Sequence, residues 1–275
     1  MTLLSQCSPN TVHWDFDTYM LAKGIAGPTV KAGGKRWYLL TPNYVFGQQM
    51  QRDTTSFVTG VGGVVSGASV YPFPDTTDFS SFLLSAQSSG ANVLALANSG
   101  AHTINSIKQA AEFGLTNSMR VTALLMFVTD VHGLGLQAAQ NLFLTESFYW
   151  DLNDKTRAFA KRFQQFMPSV QPNMTNAANY SGAMHFLKTV KKLGPAQASN
   201  GAAMVAAMKS LPAEDDAYGR TVIRQDGIAL VPSYLFQVKT PAEGTQPWDY
   251  YKLIATTPAE EAFRPLDEGG CHMQG

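Results

Sequence analysis

Several polar and aromatic residues fall where apolar runs hand over to helices, and their types set what chemistry is open to this chain. His102 and His132 each follow such a run, one strand–helix unit apart. Two imidazoles on one rim could pass a proton or supply half of a metal site, because histidine titrates near neutrality and ligates through either ring nitrogen. A metal would want a third ligand, and Asp130 is the only neighbour with suitable chemistry. The ordinary reading of both histidines is as polar residues at helix entries. Asp130 follows the apolar run 123–128 and also reads two ways. It is either a helix-start carboxylate satisfied by backbone N–H groups, or a counter-ion or acceptor for a ligand. Tyr44 and Phe46 occupy the equivalent turn after an earlier run, as surface packing or as an aromatic wall for a small ligand. Asn98 and Ser99 end the run 93–97 just before a helix.

These positions need a scaffold, and the pattern supplies one. Strands are expected over 37–41, 64–71, 92–97, 120–128 and 142–148, with helices over 44–58, 78–89, 101–113 and 131–139. Strands alternating with helices of about 10–15 residues imply βαβ units and a parallel sheet. Asp78 is suited to cap a helix and Gly90 to stop one. Ligands in open α/β sheets gather at the carboxyl ends of the strands, which is where the residues above fall. After 149–153 the character changes to helices over 155–167, 177–193 and 201–211, with prolines between them, and then to β-like segments from 220. Asp226-Gly227 is a hairpin signal. The lobe-like divisions expected are 1–35, 36–149, 150–219 and 220–275.

The bulk numbers narrow the function classes. In 275 residues, 20 Lys and Arg balance 20 Asp and Glu, leaving no electrostatic footprint for nucleic acid or an anionic membrane surface. No Gly-x-Ser-x-Gly, P-loop or His-Glu-x-x-His motif occurs, and the glycines of 60–63 follow a helix and read as a turn. No catalytic residue, metal or cofactor is therefore expected. The opening seven residues have neither the basic nor the apolar region of a signal peptide. Cys7 and Cys271 are either two unpaired thiols or one disulfide joining the ends. The Asn-x-Ser/Thr matches at Asn173 and Asn179 lie in or near a helix and read as chance.

Taken in order, several segments resemble a known family. They are 8–14 (Ser-Pro-Asn-Thr-Val-His-Trp) with 17–22, Phe46-Gly47, 78–82 (Asp-Phe-Ser-Ser-Phe), 107–114 (Ile-Lys-Gln-Ala-Ala-Glu-Phe-Gly) and 148–153 (Phe-Tyr-Trp-Asp-Leu-Asn). The tail adds 234–239 (Tyr-Leu-Phe-Gln-Val-Lys) and 247–253 (Pro-Trp-Asp-Tyr-Tyr-Lys-Leu). Over 8–266 the chain resembles the substrate-binding proteins of branched-chain amino acid ABC transporters, the Leu/Ile/Val-binding type. The resemblance implies an α/β, type I periplasmic-binding-protein-like fold, with one complete parallel-sheet lobe at 36–149 and a partial first lobe. It also implies a periplasmic receptor that takes a small amino acid or carboxylate ligand in an interlobe cleft and delivers it to an ABC permease in the inner membrane. Carried over position by position, the ligand-binding residues would be Tyr44, Phe46, Asn98, Ser99, Thr129 and Asp130, with Asp130 holding an ammonium. Relative to the family pattern, the signal peptide and the opening βαβ units of the first lobe are not found. The alternatives are an α/β enzyme or small-molecule sensor on the same scaffold, or a non-functional gene fragment.

Overall fold

The computed structural model of the protein describes residues 8–268. Helix α1 (Thr18–Lys31) leads into β1 (Arg36–Pro42), α2 (Val45–Gly60), β2 (Val64–Tyr71) and α3 (Ser80–Ser88). Then come β3 (Val93–Leu96), α4 (Ala101–Glu112), β4 (Arg120–Ala123), α5 (Val128–Leu134), α6 (Leu136–Ala139) and β5 (Phe143–Glu146). Helices α7 (Asp154–Phe163), α8 (Met174–Leu193), α9 (Pro195–Ala198) and α10 (Gly201–Ser210) follow, and after them β6 (Ala213–Asp215), β7 (Gly219–Ile223) and β8 (Ala229–Leu230). Strands β9 (Ser233–Val238) and β10 (Tyr251–Thr257) and helix α11 (Ala259–Ala262) precede a last 3-10 turn. The chain divides into two compact units, one of residues 18–146 and 233–257 and the other of the rest. Cys7 and Cys271 lie outside the described residues.

The larger unit is built on one sheet in the order β10-β9-β5-β4-β3-β1-β2. Strands β1 to β5 pair in parallel, while β9 runs antiparallel to β5 and β10 antiparallel to β9. All four residues of β3 are buried, as an unbroken apolar run between two layers of helices requires. At the edge, β2 leaves Val64, Ala68 and Val70 exposed and alternates in the manner of a half-buried strand. Trp37 is fully buried on β1, and its indole N–H donates to the Gly34 carbonyl at 2.7 Å, so the ring enters the core without an orphaned donor.

Three expectations need correcting. The strand expected over 120–128 ends at Ala123, and Leu124, Leu125 and Met126 stay buried as a connector into α5. A short apolar run cannot by itself tell a strand from a buried connection. The segment 1–35 is not one piece: α1 packs on α2, β5 and β9 in the larger unit, so the division falls at 17–18. The tail from 220 splits as well, with β9 and β10 completing the large sheet and 258–268 belonging to the other unit.

In the smaller unit, Met204 and Met208 of α10 pack with Ile223 and Ala229, and Val12, Trp14 and Val190 cover them. Strands β7 and β8 form the hairpin signalled by Asp226-Gly227. Gly227 has φ +92°, and a Cβ there would strike the Thr11 carbonyl. Asn153 and Asn173 are N-caps, each accepting backbone N–H bonds of the first turn, while the Asn179 amide bonds back to the Thr175 carbonyl. Phe166, Met167, Phe186 and Leu187 are exposed on this unit, Phe166 by 83%. Among the described residues, no helix is long and apolar enough to cross a membrane.

Candidate functional site

Strands β4, β3 and β1 are neighbours, so the residues after their carboxyl ends share one rim. Strand spacing of about 4.8 Å puts the turns after β1 and β4 roughly 10 Å apart, the scale of a small organic molecule. Tyr44 precedes α2 in an extended conformation. Its ring stacks on Phe73 with centroids 4.4 Å apart and planes at 18°, and lies 5.9 Å from Phe46. Burial raises the Tyr44 phenol above its ordinary pKa, and the Ser99 side chain of the β3 turn partly offsets this. Gly47 lets the first turn of α2 sit tightly against β1, since a Cβ there would come within 2.5 Å of the Pro42 carbonyl. This close approach holds Tyr44 and Phe46 over the strand ends.

A polar layer lies directly beneath. His102 Nε2 is 2.9 Å from the Pro74 carbonyl, which can only accept, so Nε2 carries the proton. His102 Nδ1 then accepts from the Tyr71 hydroxyl at 3.0 Å. That hydroxyl in turn accepts from Asn98 Nδ2 at 3.1 Å. Asn98 also donates to Ser106 and accepts from Thr103 at 2.7 Å, so its amide is committed to the protein. Burial pushes the Tyr71 phenol up to about 12. Asn98 is thus buried one layer below the rim and supports it, whereas Tyr44, Phe46 and Ser99 form the surface above.

Thr129 and Asp130 stand on the first turn of α5, beside the β3 turn. Asp130 is the third residue of the helix, and its Oδ2 accepts the Phe127 backbone N–H at 2.9 Å. Burial raises this carboxyl, and the Phe127 hydrogen bond only partly offsets it. The helix-start reading of Asp130 is met in this geometry, one carboxylate oxygen organising the first turn of α5. His132 turns elsewhere. It stacks on Trp248 at 3.9 Å and 7°, with Nδ1 2.7 Å from the Tyr250 hydroxyl. The two histidines are therefore held by separate aromatic partners. Among the described residues no group of three His, Cys, Asp or Glu is placed to hold a metal.

Sequence reasoning missed Phe73. It follows the end of β2 by two residues, as Tyr44 follows β1, and its ring is half open. An aromatic at each of two neighbouring strand ends was the available signal.

The sequence pattern described as "Periplasmic binding protein" matches residues 3–245. The chain belongs to that family. Its fold is the family's type I α/β fold, and members are non-enzymatic substrate-binding proteins of ABC transporters that work in the periplasm. A periplasmic binding protein of Burkholderia mallei is 42% identical over all of this chain and 72% of its own, with a TM-score of 0.93. The periplasmic ligand-binding protein of a branched-chain amino acid ABC transporter from Burkholderia xenovorans LB400 is 33% identical. It is covered to 71% by 98% of this chain, with a TM-score of 0.87. An R. palustris solute-binding protein in complex with benzoate shares the fold at 19% identity and a TM-score of 0.80, over 94% of this chain and 68% of its own. No curated protein sequence matches.

Proposed function

We propose that this chain is the ligand-receiving component of an ABC importer and that it takes a small carboxylate, either a branched-chain amino acid or an aromatic acid. The observation that carries this reading is the rim itself. An aromatic group of Tyr44, Phe46 and Phe73 lies beside Ser99 at the next strand end, one strand away from the carboxylate of Asp130. Apolar walls with a few placed polar groups suit a small ligand. The Burkholderia xenovorans relative, named for branched-chain amino acids, and the benzoate-bound R. palustris neighbour supply the two candidate classes. An ammonium would meet Asp130, and a planar ring would lie along Tyr44 and Phe73. The partner is the transporter's permease at the inner membrane.

Thermal denaturation in the presence of leucine or benzoate tests this. A ligand that binds only the folded state stabilises it, by about 2.7 kcal/mol at a hundred times its dissociation constant. A rise in Tm with one of them, and no chemical conversion of it, is the expected result. No shift with either, or turnover of the added compound, rejects the proposal.

A further inference from the structure

The amino ends of the same parallel strands carry a second feature, on the opposite edge of the large sheet from the aromatic rim. A cavity of about 370 Å³ opens between the segment preceding β4 and the segment preceding β5, and Gln237 of β9 closes its side. Arg120, the first residue of β4, supplies its only charged lining group among the described residues. The guanidinium lies over the Phe143 ring, 5.0 Å from the centroid. It also reaches the carbonyls of Thr29 and Ala32 at the end of α1, at the long distances of 3.4 and 3.5 Å. Among the described residues, no carboxylate pairs with it. Amide and hydroxyl side chains converge beside it, including Asn117, Ser118, Asn141 and Gln237. Gln237 Nε2 donates to Asn141 Oδ1 at 3.2 Å, which fixes the two amides against each other. Asn141 holds φ at +65°, a conformation that asparagine tolerates better than other side chains, so its amide is presented from a tight turn.

We propose that this cavity is a second ligand site, for a small monocarboxylate bearing hydroxyl or amide groups. The planar guanidinium fork matches a carboxylate, and its stacking on Phe143 fixes the plane in which a carboxylate would be received. A single cation shared with two helix-end carbonyls suits one negative charge better than two. The amides can donate and accept in turn, which suits hydroxyls, and the volume is within the range of small-molecule pockets. The residues involved are separate from the rim proposed for transport. About 13 Å of four-residue strand lies between the two edges, so either site can fail without the other.

The test is a titration of the isotopically labelled 275-residue chain with sodium D-gluconate, followed by backbone amide shifts, with inorganic phosphate as the comparison anion. Saturable shifts at Asn117, Arg120 and Asn141 are expected with gluconate, and only a weak, unsaturated response with phosphate. Arg120→Gln should weaken gluconate binding at least tenfold. Arg120 also touches the end of α1, so a second variant, Asn141→Gly, permits the positive φ and removes the side chain with its amide; it should weaken binding severalfold. No saturable response in the wild type, or equal responses in the wild type and Asn141→Gly, overturns the proposal. So does phosphate binding as tightly as gluconate.

Discussion

At the scale of single residues the rim makes opposite demands on Tyr44 and Asp130. Tyr44 offers a ring face and a hydroxyl near Ser99. Tyr44→Ala should weaken benzoate binding by about threefold to tenfold, the worth of one aromatic contact. Tyr44→Phe, which keeps the ring, should weaken it much less, as calorimetric titration of the two variants will show. Asp130 is a carboxylate whose folded-state pKa is raised by burial. The stability tied to that shift is present at low pH and lost as pH rises through the raised value. Asp130→Asn should therefore melt no lower than the wild type at neutral pH, because the amide oxygen can still accept from Phe127. If leucine is a ligand, its ammonium would need the ionised form. Leucine affinity should then hold at neutral pH, fall as pH drops through the Asp130 pKa, and disappear in Asp130→Asn. The types of Tyr44, Phe46, Ser99 and Asp130 were legible in the sequence. The burial of Asn98 was not, because its hydrogen bonds come from Tyr71 and Thr103, and only the folded chain brings them together.

At the scale of elements, the loop after β2 and the start of α4 are joined through Tyr71. Tyr71→Phe leaves Asn98 Nδ2 and His102 Nδ1 each short of a partner, which should cost about 1–3 kcal/mol in denaturant unfolding. The same phenol is pushed up to about 12, above its unfolded value of about 10. Its contribution is complete below about pH 10 and is lost as pH climbs through about 12. The wild type should accordingly lose stability over that range more steeply than Tyr71→Phe. In the β7–β8 hairpin, Gly227→Ala faces both φ +92° and the Thr11 carbonyl, and should lower stability by about 1–3 kcal/mol. Periodicity found β2 at 64–71 and the alternation from β1 to β5 with boundaries good to a few residues. It lengthened β4, since Leu124 to Met126 are as apolar as the strand itself. It also detected β-like segments from 220 onward without finding their partner, because pairing β9 with β5 is a contact across some ninety residues of chain that no local pattern encodes.

At the scale of the whole molecule, the family and the α/β class were readable from the order of many weak motifs, and the change of character near 149–153 lies close to the observed division at 146–147, while the places of α1, β9 and β10 in the larger unit were not readable. Nothing local marks α1 as belonging with β5 and β9. The interleaving also has a consequence for how the protein is made. Strand β5 is synthesised well before β9, the strand that flanks it, and the entire stretch 147–232 is made in between. At about 5–20 residues per second, the newborn sheet keeps an unsatisfied β5 margin for several seconds. Phe143 to Glu146 then present free backbone donors and acceptors to any extended chain nearby. A chaperone that meets the emerging chain should find its best foothold there.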